Sequence, residues 1–396
     1  MNFSEVERHV EEFYEEIVEF RRDLHMYPEL SGEEIETSRK VVQKLKILPI
    51  EIKERVNGYG IIGLLKGKSD KKTILLRGDM DALPINEIQG EPYSSKIPNV
   101  MHACGHDMHT AMLLGTAMVL SRFKDKLDGN VKFMFQPAEE VAPIGGSQGM
   151  IKEGILENPK VDEAYGMHVY GVPTGTVLYR PEVLNARSDR ITITIKGKSS
   201  HGSLPSEGND AILAAGNVIT SIQSIISRNL GPGETAVISI GSIHGGDKYN
   251  IISDNVVLEG TVRTFSKVSV ETIKERLATI VSDIASAYGC RGILDYVDGY
   301  DFIYNDPTLT KYATSSLEEL LGKENIIYQS NPLPAGEDFS FISKKVPSFF
   351  LWLGTEGESN KGNVILHNPK FKVDEETLKY GIKIMCKLVF DSFART

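Results

Sequence analysis

"KTILLRGDMDALPI", residues 72–85, decides how the chain around it is read. A short apolar run, Ile74–Leu76, ends at Gly78 and is followed at once by two aspartates, Asp79 and Asp81. Such a run bounded by glycine reads as a buried strand, and the aspartates then lie at its carboxyl end. Two further segments have the same form. "VKFMFQ" (Val131–Gln136) leads into Glu139 and Glu140, and "EAYGMHV" (Glu163–Val169) carries His168 near its end. In an open α/β sheet the carboxyl ends of the strands converge on one crevice, where ligands bind. Three strands are therefore expected to deliver carboxylates and an imidazole to one edge.

Working outward, Val6, Val10, Phe13, Ile17, Phe20 and Leu24 recur at spacings of three and four and predict a helix. "SGEE" (Ser31–Glu34) has the form of a capping box, opening a second helix that Pro49 ends. "GIIGLLKG" (Gly60–Gly67) predicts another strand, and Met108–Phe123 a buried helix. Strands alternating with helices imply a mostly parallel sheet covered on both faces. The pattern changes near Arg180. From Ile191, "ITITIKG" alternates with period two. A helix (Asp210–Ser227), strands "TAVISIGSI" and "NVVLEGTVRTF", a helix (Val270–Ala287) and the strand "GILDYV" follow. That βαββαβ order is the split, ferredoxin-like unit. After Gly299 the first pattern returns, with "KVPSFFLWLG" as a strand and Glu375–Ala394 as a closing helix. The expected fold is α/β: a large domain from residues 1–185 and 299–396, with residues 186–298 inserted as a second domain.

A chain of 396 residues exceeds what one core usually supports. Its net charge of −10 argues against a nucleic-acid partner, which needs a basic stripe. No run of 18 apolar residues predicts a membrane span, and the acidic first residues lack the apolar core of a secretory signal. Three cysteines, Cys104, Cys290 and Cys386, are too few for a disulfide framework, so a cytoplasmic, reducing setting is expected.

The chemistry concentrates in "NVMHACGHDMHTA" (Asn99–Ala111), which follows neither a helical nor a strand period. Cys104 and His106 lie just before the Met108 helix, and His367, in "VILHNPKF", follows another apolar run. Thiolate, imidazole and carboxylate together suit zinc, manganese, cobalt or nickel. Neighbouring side chains in an extended segment point opposite ways, so one of Glu139 and Glu140 is free to bind metal while the other faces a water. A divalent ion lowers the pKa of such a water toward neutrality, and a free carboxylate takes its proton. Asp81, further out, suits a role in orienting a ligand or the base. This arrangement suits hydrolysis of an amide. Other readings stay open: a metal- or ligand-binding protein with a silent site, which has no use for a spare Glu139, and Cys104 as a nucleophile. His9, His25 and His244 are assigned to structure or surface, and Met80 and Met108 to packing.

Seven segments together carry a family resemblance: "RRDLHMYPELSGEE", "LLRGDMDALPI", "MHACGHDMHTAMLLG", "FQPAEE", "GMHV", "AGEDFS" and "ILHNPKF". They resemble the aminoacylase and carboxypeptidase family of co-catalytic metallopeptidases, in the branch of hippurate hydrolases, N-acyl-amino-acid amidohydrolases and auxin-conjugate hydrolases. The resemblance implies a zinc-peptidase-like α/β/α catalytic domain whose inserted domain is a lid and pairs two subunits into a homodimer. It implies two divalent ions per subunit held by Cys104, His106, Glu140, His168 and His367, with Glu139 as general base and Asp81 as supporting acid. Asp79 stands where the broader family has a histidine ligand, so it is not assigned to the metal. "KGKSSHGSLP" is similar to a family segment whose histidine, here His201, polarises the scissile carbonyl; Ser199 and Ser200 replace two glycines. Whether His201 acts within its own subunit or its neighbour is open. Asn250, Arg263 and Gly336 match substrate-binding positions, the arginine by a bidentate grip on a carboxylate. The implied activity is hydrolysis of an N-acyl amino acid with an acetyl, benzoyl or similar acyl group. N-acetyl-diaminopimelate deacetylase and metallocarboxypeptidase or dipeptidase activities are the alternatives. Arg187 and Arg190 suit a substrate with a second carboxylate.

Overall fold

The structure, a computed structural model, describes residues 3–88 and 90–395. By density of internal packing the chain forms two units. One comprises residues 1–184, 303–331 and 337–396, the other residues 185–302 and 332–336. Among the described residues no helix is long and apolar enough to cross a membrane.

The larger unit is built on eight strands. Five are β1 (Glu51–Val56), β2 (Gly60–Leu65), β3 (Thr73–Asp79), β4 (Asn130–Gln136) and β5 (Glu163–Pro173). The short β6 (Val177–Tyr179) and the later strands Ile326–Tyr328 and Ser348–Glu356 complete the sheet. Their spatial order is β1, β2, β4, β3, β5, Ser348–Glu356, β6, Ile326–Tyr328. The centre is parallel: β3 lies between β4 and β5, and β5 pairs with Ser348–Glu356. The flanks depart from the mostly parallel expectation, because β1 with β2, β2 with β4, and Ser348–Glu356 with β6 are antiparallel. For β1 with β2 the cause is chain length. Only three residues join β1 to β2, too few for a crossover, so a hairpin is the available connection.

The helix expected over the first residues is α1 (Ser4–Met26), burying Val6, Val10, Ile17, Phe20 and Leu24. The second, α2 (Ile35–Leu45), ends before Pro49, and its N-cap makes no side-chain hydrogen bond. The capping-box reading of Ser31–Glu34 is therefore wrong: Ser31 donates to Asp81, and Glu34 accepts the N–H groups of Gly32 and of the distant Ala138. The buried helix is α3 (His106–Ser121), whose residues His106–Leu120 are all buried. Two glycines let it approach the sheet. Gly105, at φ +83°, turns the chain into the helix, and a Cβ there would meet Val169 Cγ2 at 2.5 Å. A Cβ on Gly78 would lie 2.8 Å from the carbonyl oxygen of His109. The closing helix, Thr377–Ala394, packs on α1 and α3. A helix over Pro307–Leu321 was not read from the sequence, although Asp306 caps it and Pro307 starts it, a recognisable signal.

The main sheet of the smaller unit has four antiparallel strands in the order Ala236–Gly245, Asn255–Thr264, Arg187–Lys196, Arg291–Tyr300, and Ser200–His201 pairs separately with Ile251–Ile252. Helices Ala211–Asn229 and Lys267–Ala287 cover one face of the main sheet. Ile191, Ile193 and Ile195 point into their shared core, as the period-two pattern requires.

Candidate metal and hydrolytic site

Register sets the site. Asp79 pairs with Gln136 where β3 and β4 end side by side, so the segments that follow, Met80–Asp81 and Pro137–Glu140, start from one edge. His168 projects from β5 opposite Trp352. The α3 turn adds Cys104 and His106, and a loop adds His367 in a left-handed conformation (φ 60°).

The sulfur of Cys104 lies 3.3 Å from Nε2 of His168 and 3.3 Å from Nε2 of His367. The His367 Nε2 is 3.0 Å from Oε1 of Glu140. Donors around one tetrahedral zinc, at bond lengths of 2.0–2.3 Å, sit roughly 3.5 Å apart, so these separations suit a common ion. Tautomers sharpen the assignment. His168 Nδ1 is 2.7 Å from the carbonyl of Val169 and so donates to it, which leaves the Nε2 lone pair toward Cys104. His106 Nδ1 lies 3.1 Å from Oδ1 of Asp81, and its buried Nε2 has no hydrogen-bond partner. Glu140 Oε1 is likewise buried without a hydrogen bond. His109 is different. Its Nε2 accepts the peptide N–H of Val169 (2.9 Å) and its Nδ1 meets Asp79 Oδ1 (2.5 Å), so no lone pair remains for a metal.

Potential ligand atoms gather in overlapping groups: Cys104, His106 and His168; Asp79, His106 and His109; Cys104, Glu140 and His367; His106, Glu139 and Glu140; and Glu139, Glu337 and Asp338. Cys104 and Glu140 each belong to two groups and His106 to three, so the clusters adjoin, as donors around a pair of ions would. The charge balance agrees. Burial lowers the His106 pKa, yet Asp79, Asp81 and Glu140 outweigh it and push it up to about 10. Burial and the charges of Glu140, Glu139 and Asp79 push the Cys104 thiol well above its ordinary value. Surplus negative charge raises His106 and adds to the effect of burial on Cys104, and divalent cations would neutralise it while favouring thiolate.

Asp81 is fully engaged: Oδ1 with His106, Oδ2 accepting the Ser31 hydroxyl (2.6 Å) and the Glu140 peptide N–H (2.9 Å). It orients His106 and the Glu140 backbone. Asp79 faces Arg77 at 2.6 Å. Arg77 itself was missed by the sequence reading. Fully buried, it also grips Glu337 (2.7 and 3.1 Å), Asp338 (3.0 Å) and Gln136 (2.9 Å). Glu139 lies beside Glu337 and Asp338. Burial and the charges of Glu337, Glu140 and Asp338 push its carboxyl well above the ordinary range, against Arg77, which suits a group that accepts a proton. Glu34, also missed, is buried; burial pushes it up to about 7 although it accepts backbone N–H groups.

The other expected site residues lie on the smaller unit. His201 is exposed, and its Nδ1 accepts the Ser203 N–H at 3.1 Å, so the ring proton sits on Nε2. It does not cap the following helix, which Asp210 caps. Asn250 Oδ1 is buried without a hydrogen bond. Arg263 is half-buried, donates to Thr261 and the Val262 carbonyl, and pairs with no carboxylate among the described residues. Gly336 packs on Ser188. Arg187 is taken up by Asp189 and Asp298, and Arg190 by Glu259.

Residues 75–391 match Peptidase family M20/M25/M40. The chain belongs to this peptidase family. It is 38% identical over 378 residues to the N-acetylcysteine deacetylase of Bacillus subtilis (strain 168), covering 95% of this chain and 96% of that one. It is 37% identical over 377 residues to the N-acetyldiaminopimelate deacetylase of Bacillus cytotoxicus, covering 94% and 96%. Among solved structures, the Bacillus subtilis YXEP protein, a dinuclear metal-binding peptidase from the M20 family, superposes with a TM-score of 0.84. It shares 34% identity, covering 98% of this chain and all of that one.

Proposed function

We propose that this M20 enzyme is a two-metal amidohydrolase that removes a small acyl group from the nitrogen of an amino acid. The observation that carries the reading is the convergence of Cys104, His106, Glu140, His168 and His367 beside a buried carboxylate, Glu139, that this ligand set leaves over. The names of the two deacetylase relatives support the substrate class. Divalent ions at this site, of which zinc, manganese, cobalt and nickel all suit the donors, supply Lewis-acid activation of a water and of the scissile carbonyl. Glu139 takes the proton of the attacking water and returns it to the departing amine, as a carboxylate of raised pKa suits. Asp81 fixes the ring of His106 and the peptide of Glu140.

The smaller unit, read as a ferredoxin-like lid, supplies the rest of the reaction. Its strand–helix–strand–strand–helix–strand order and its sheet order support that reading. His201 presents a ring N–H suited to a developing oxyanion, while Arg263 and Asn250 present a guanidinium and an amide to the substrate carboxylate. Gly336 is assigned to the substrate side with them; it packs against Ser188 and Tyr300, where a side chain would be tight. The exposed edge strand Ala236–Gly245, with Val237 and Ile243 outward, supports pairing of two subunits through this unit. The test is a hydrolysis panel of N-acetyl, N-benzoyl and N-acetyl-diaminopimelate substrates together with dipeptides, each with several divalent metals. Preference for an acylated amino acid is expected. Cleavage of dipeptides alone overturns the acyl assignment.

A further inference from the structure

The segment Glu29–Glu34 touches the hydrolytic site at three points, none of which the ligand or base assignments use. The carbonyl of Glu29 accepts the Ala82 N–H (2.8 Å), which fixes the segment beside the end of β3. The Ser31 hydroxyl donates to Asp81 Oδ2 at 2.6 Å. Oε1 of Glu34 accepts the N–H groups of Gly32 (3.0 Å) and Ala138 (2.7 Å). Ala138 adopts a left-handed conformation (φ 54°) that L-residues disfavour, and it immediately precedes Glu139. On the other side of Glu139, the N–H of Glu140 is held by Asp81 Oδ2, the same oxygen that Ser31 grips. The backbone N–H groups of the two residues on either side of Glu139 are thus each bound by a buried carboxylate, Ala138 by Glu34 and Glu140 by Asp81, and Asp81 is itself held by Ser31.

We propose that Ser31 and Glu34 are positioning residues that hold the Ala138–Glu140 turn against Asp81, aiming Glu139 at the water and Glu140 at the metal. The inference rests on the role given to Glu139 above. The turn needs such support because its strained backbone would otherwise relax, carrying adjacent side chains that must point in opposite directions. Glu34 contributes an acceptor oxygen rather than a charge: Oε1 makes both bonds, and Oε2 is buried without a hydrogen bond. Glutamine at this position keeps the acceptor, and alanine removes it.

The test compares Glu34→Ala, Glu34→Gln and Ser31→Ala, with kcat and KM expressed per folded, metal-loaded site. An error of about 1 Å in a catalytic group costs on the order of 10²-fold, so Glu34→Ala should lower kcat by about that factor with KM little changed. Glu34→Gln should recover kcat to within about tenfold of wild type, since an intact hydrogen bond is a small net term. Ser31→Ala should fall between wild type and Glu34→Ala. Cobalt(II) titration of the metal-free proteins gives a second readout: weaker uptake by Glu34→Ala than by Glu34→Gln. Normal kcat per loaded site in Glu34→Ala, or equal impairment in the alanine and glutamine variants, overturns the proposal. Should Glu34→Ala not fold, wild-type kcat in Ser31→Ala overturns it. Glu139→Gln run alongside separates the two levels: if it stays active, the assignment of the base has failed, not the brace.

Discussion

Replacing Arg77 with methionine removes a cation shared by three buried carboxylates, Asp79, Glu337 and Asp338, at 2.6, 2.7 and 3.0 Å. Methionine fills similar space without the charge. Breaking a buried ion pair by deleting one partner costs about 3–5 kcal/mol, and here three partners lose it together. That is a large share of the 5–15 kcal/mol by which a domain is usually stable. With a urea slope of about 3 kcal/mol/M, the midpoint should fall by about 1 M or more. Trp352 offers a selective probe. It is the one tryptophan of the chain, 2% exposed, on a central strand of the larger unit, so its fluorescence follows that unit alone. The deficit should also depend on pH. Burial raises Glu337 to about 7 even against the pull of Arg77, so without the arginine its folded value rises further above the ordinary 4.5. Between those values the folded variant binds the extra proton, so its stability falls as pH rises. Wild type loses stability over the same interval for the same reason, so this carboxylate should leave the gap unchanged up to about pH 7 and widen it only above that, where wild-type Glu337 has released its proton and the variant still holds it. A midpoint unchanged at pH 8 would refute the view that this cluster is held by the arginine.

Three further outcomes follow from other parts of the structure. Gly105→Ala should cost more than about 1 kcal/mol and weaken metal retention, because alanine disfavours φ +83° and its methyl would strike Val169; Val169→Ala should restore part of the loss. Burial alone would raise Glu163, but hydrogen bonds from Lys72, Ser392 and Tyr165 hold it below its ordinary value. Its contribution is thus present at neutral pH and fades as pH falls below about 4.5, so Glu163→Gln should be less stable than wild type at pH 7 and the two should converge in acid. Chelation should abolish turnover and divalent metal should restore it, as read by amine release; turnover that survives metal removal would favour Cys104 as a nucleophile.

The parts of the fold that were legible are those governed by local pattern. Ile191, Ile193 and Ile195 alternate because one face of their strand is covered, and the residues of α3 are small and apolar because every side of it is buried. Asp79, Glu139 and His168 were placed on one edge because strand ends share an edge in a parallel sheet. What escaped depends on partners distant in sequence. Arg77 meets Glu337 across 260 residues, and Glu34 meets Ala138 across 104. "SGEE" was misread for that reason: the same residue types at the same spacing serve a helix end or a remote loop, and only the fold selects between them. His109 shows the converse. It sits among candidate ligands, and only the Val169 N–H on its Nε2 separates it from them.

The central claim is that Glu139 moves the proton while its neighbours hold the ions. The measurement that tests it most directly is metal content and kcat determined on one preparation of Glu139→Gln. The account predicts two divalent ions per chain, as in wild type, with kcat lower by on the order of 10²–10⁴-fold. Near-normal kcat with both ions bound would contradict it.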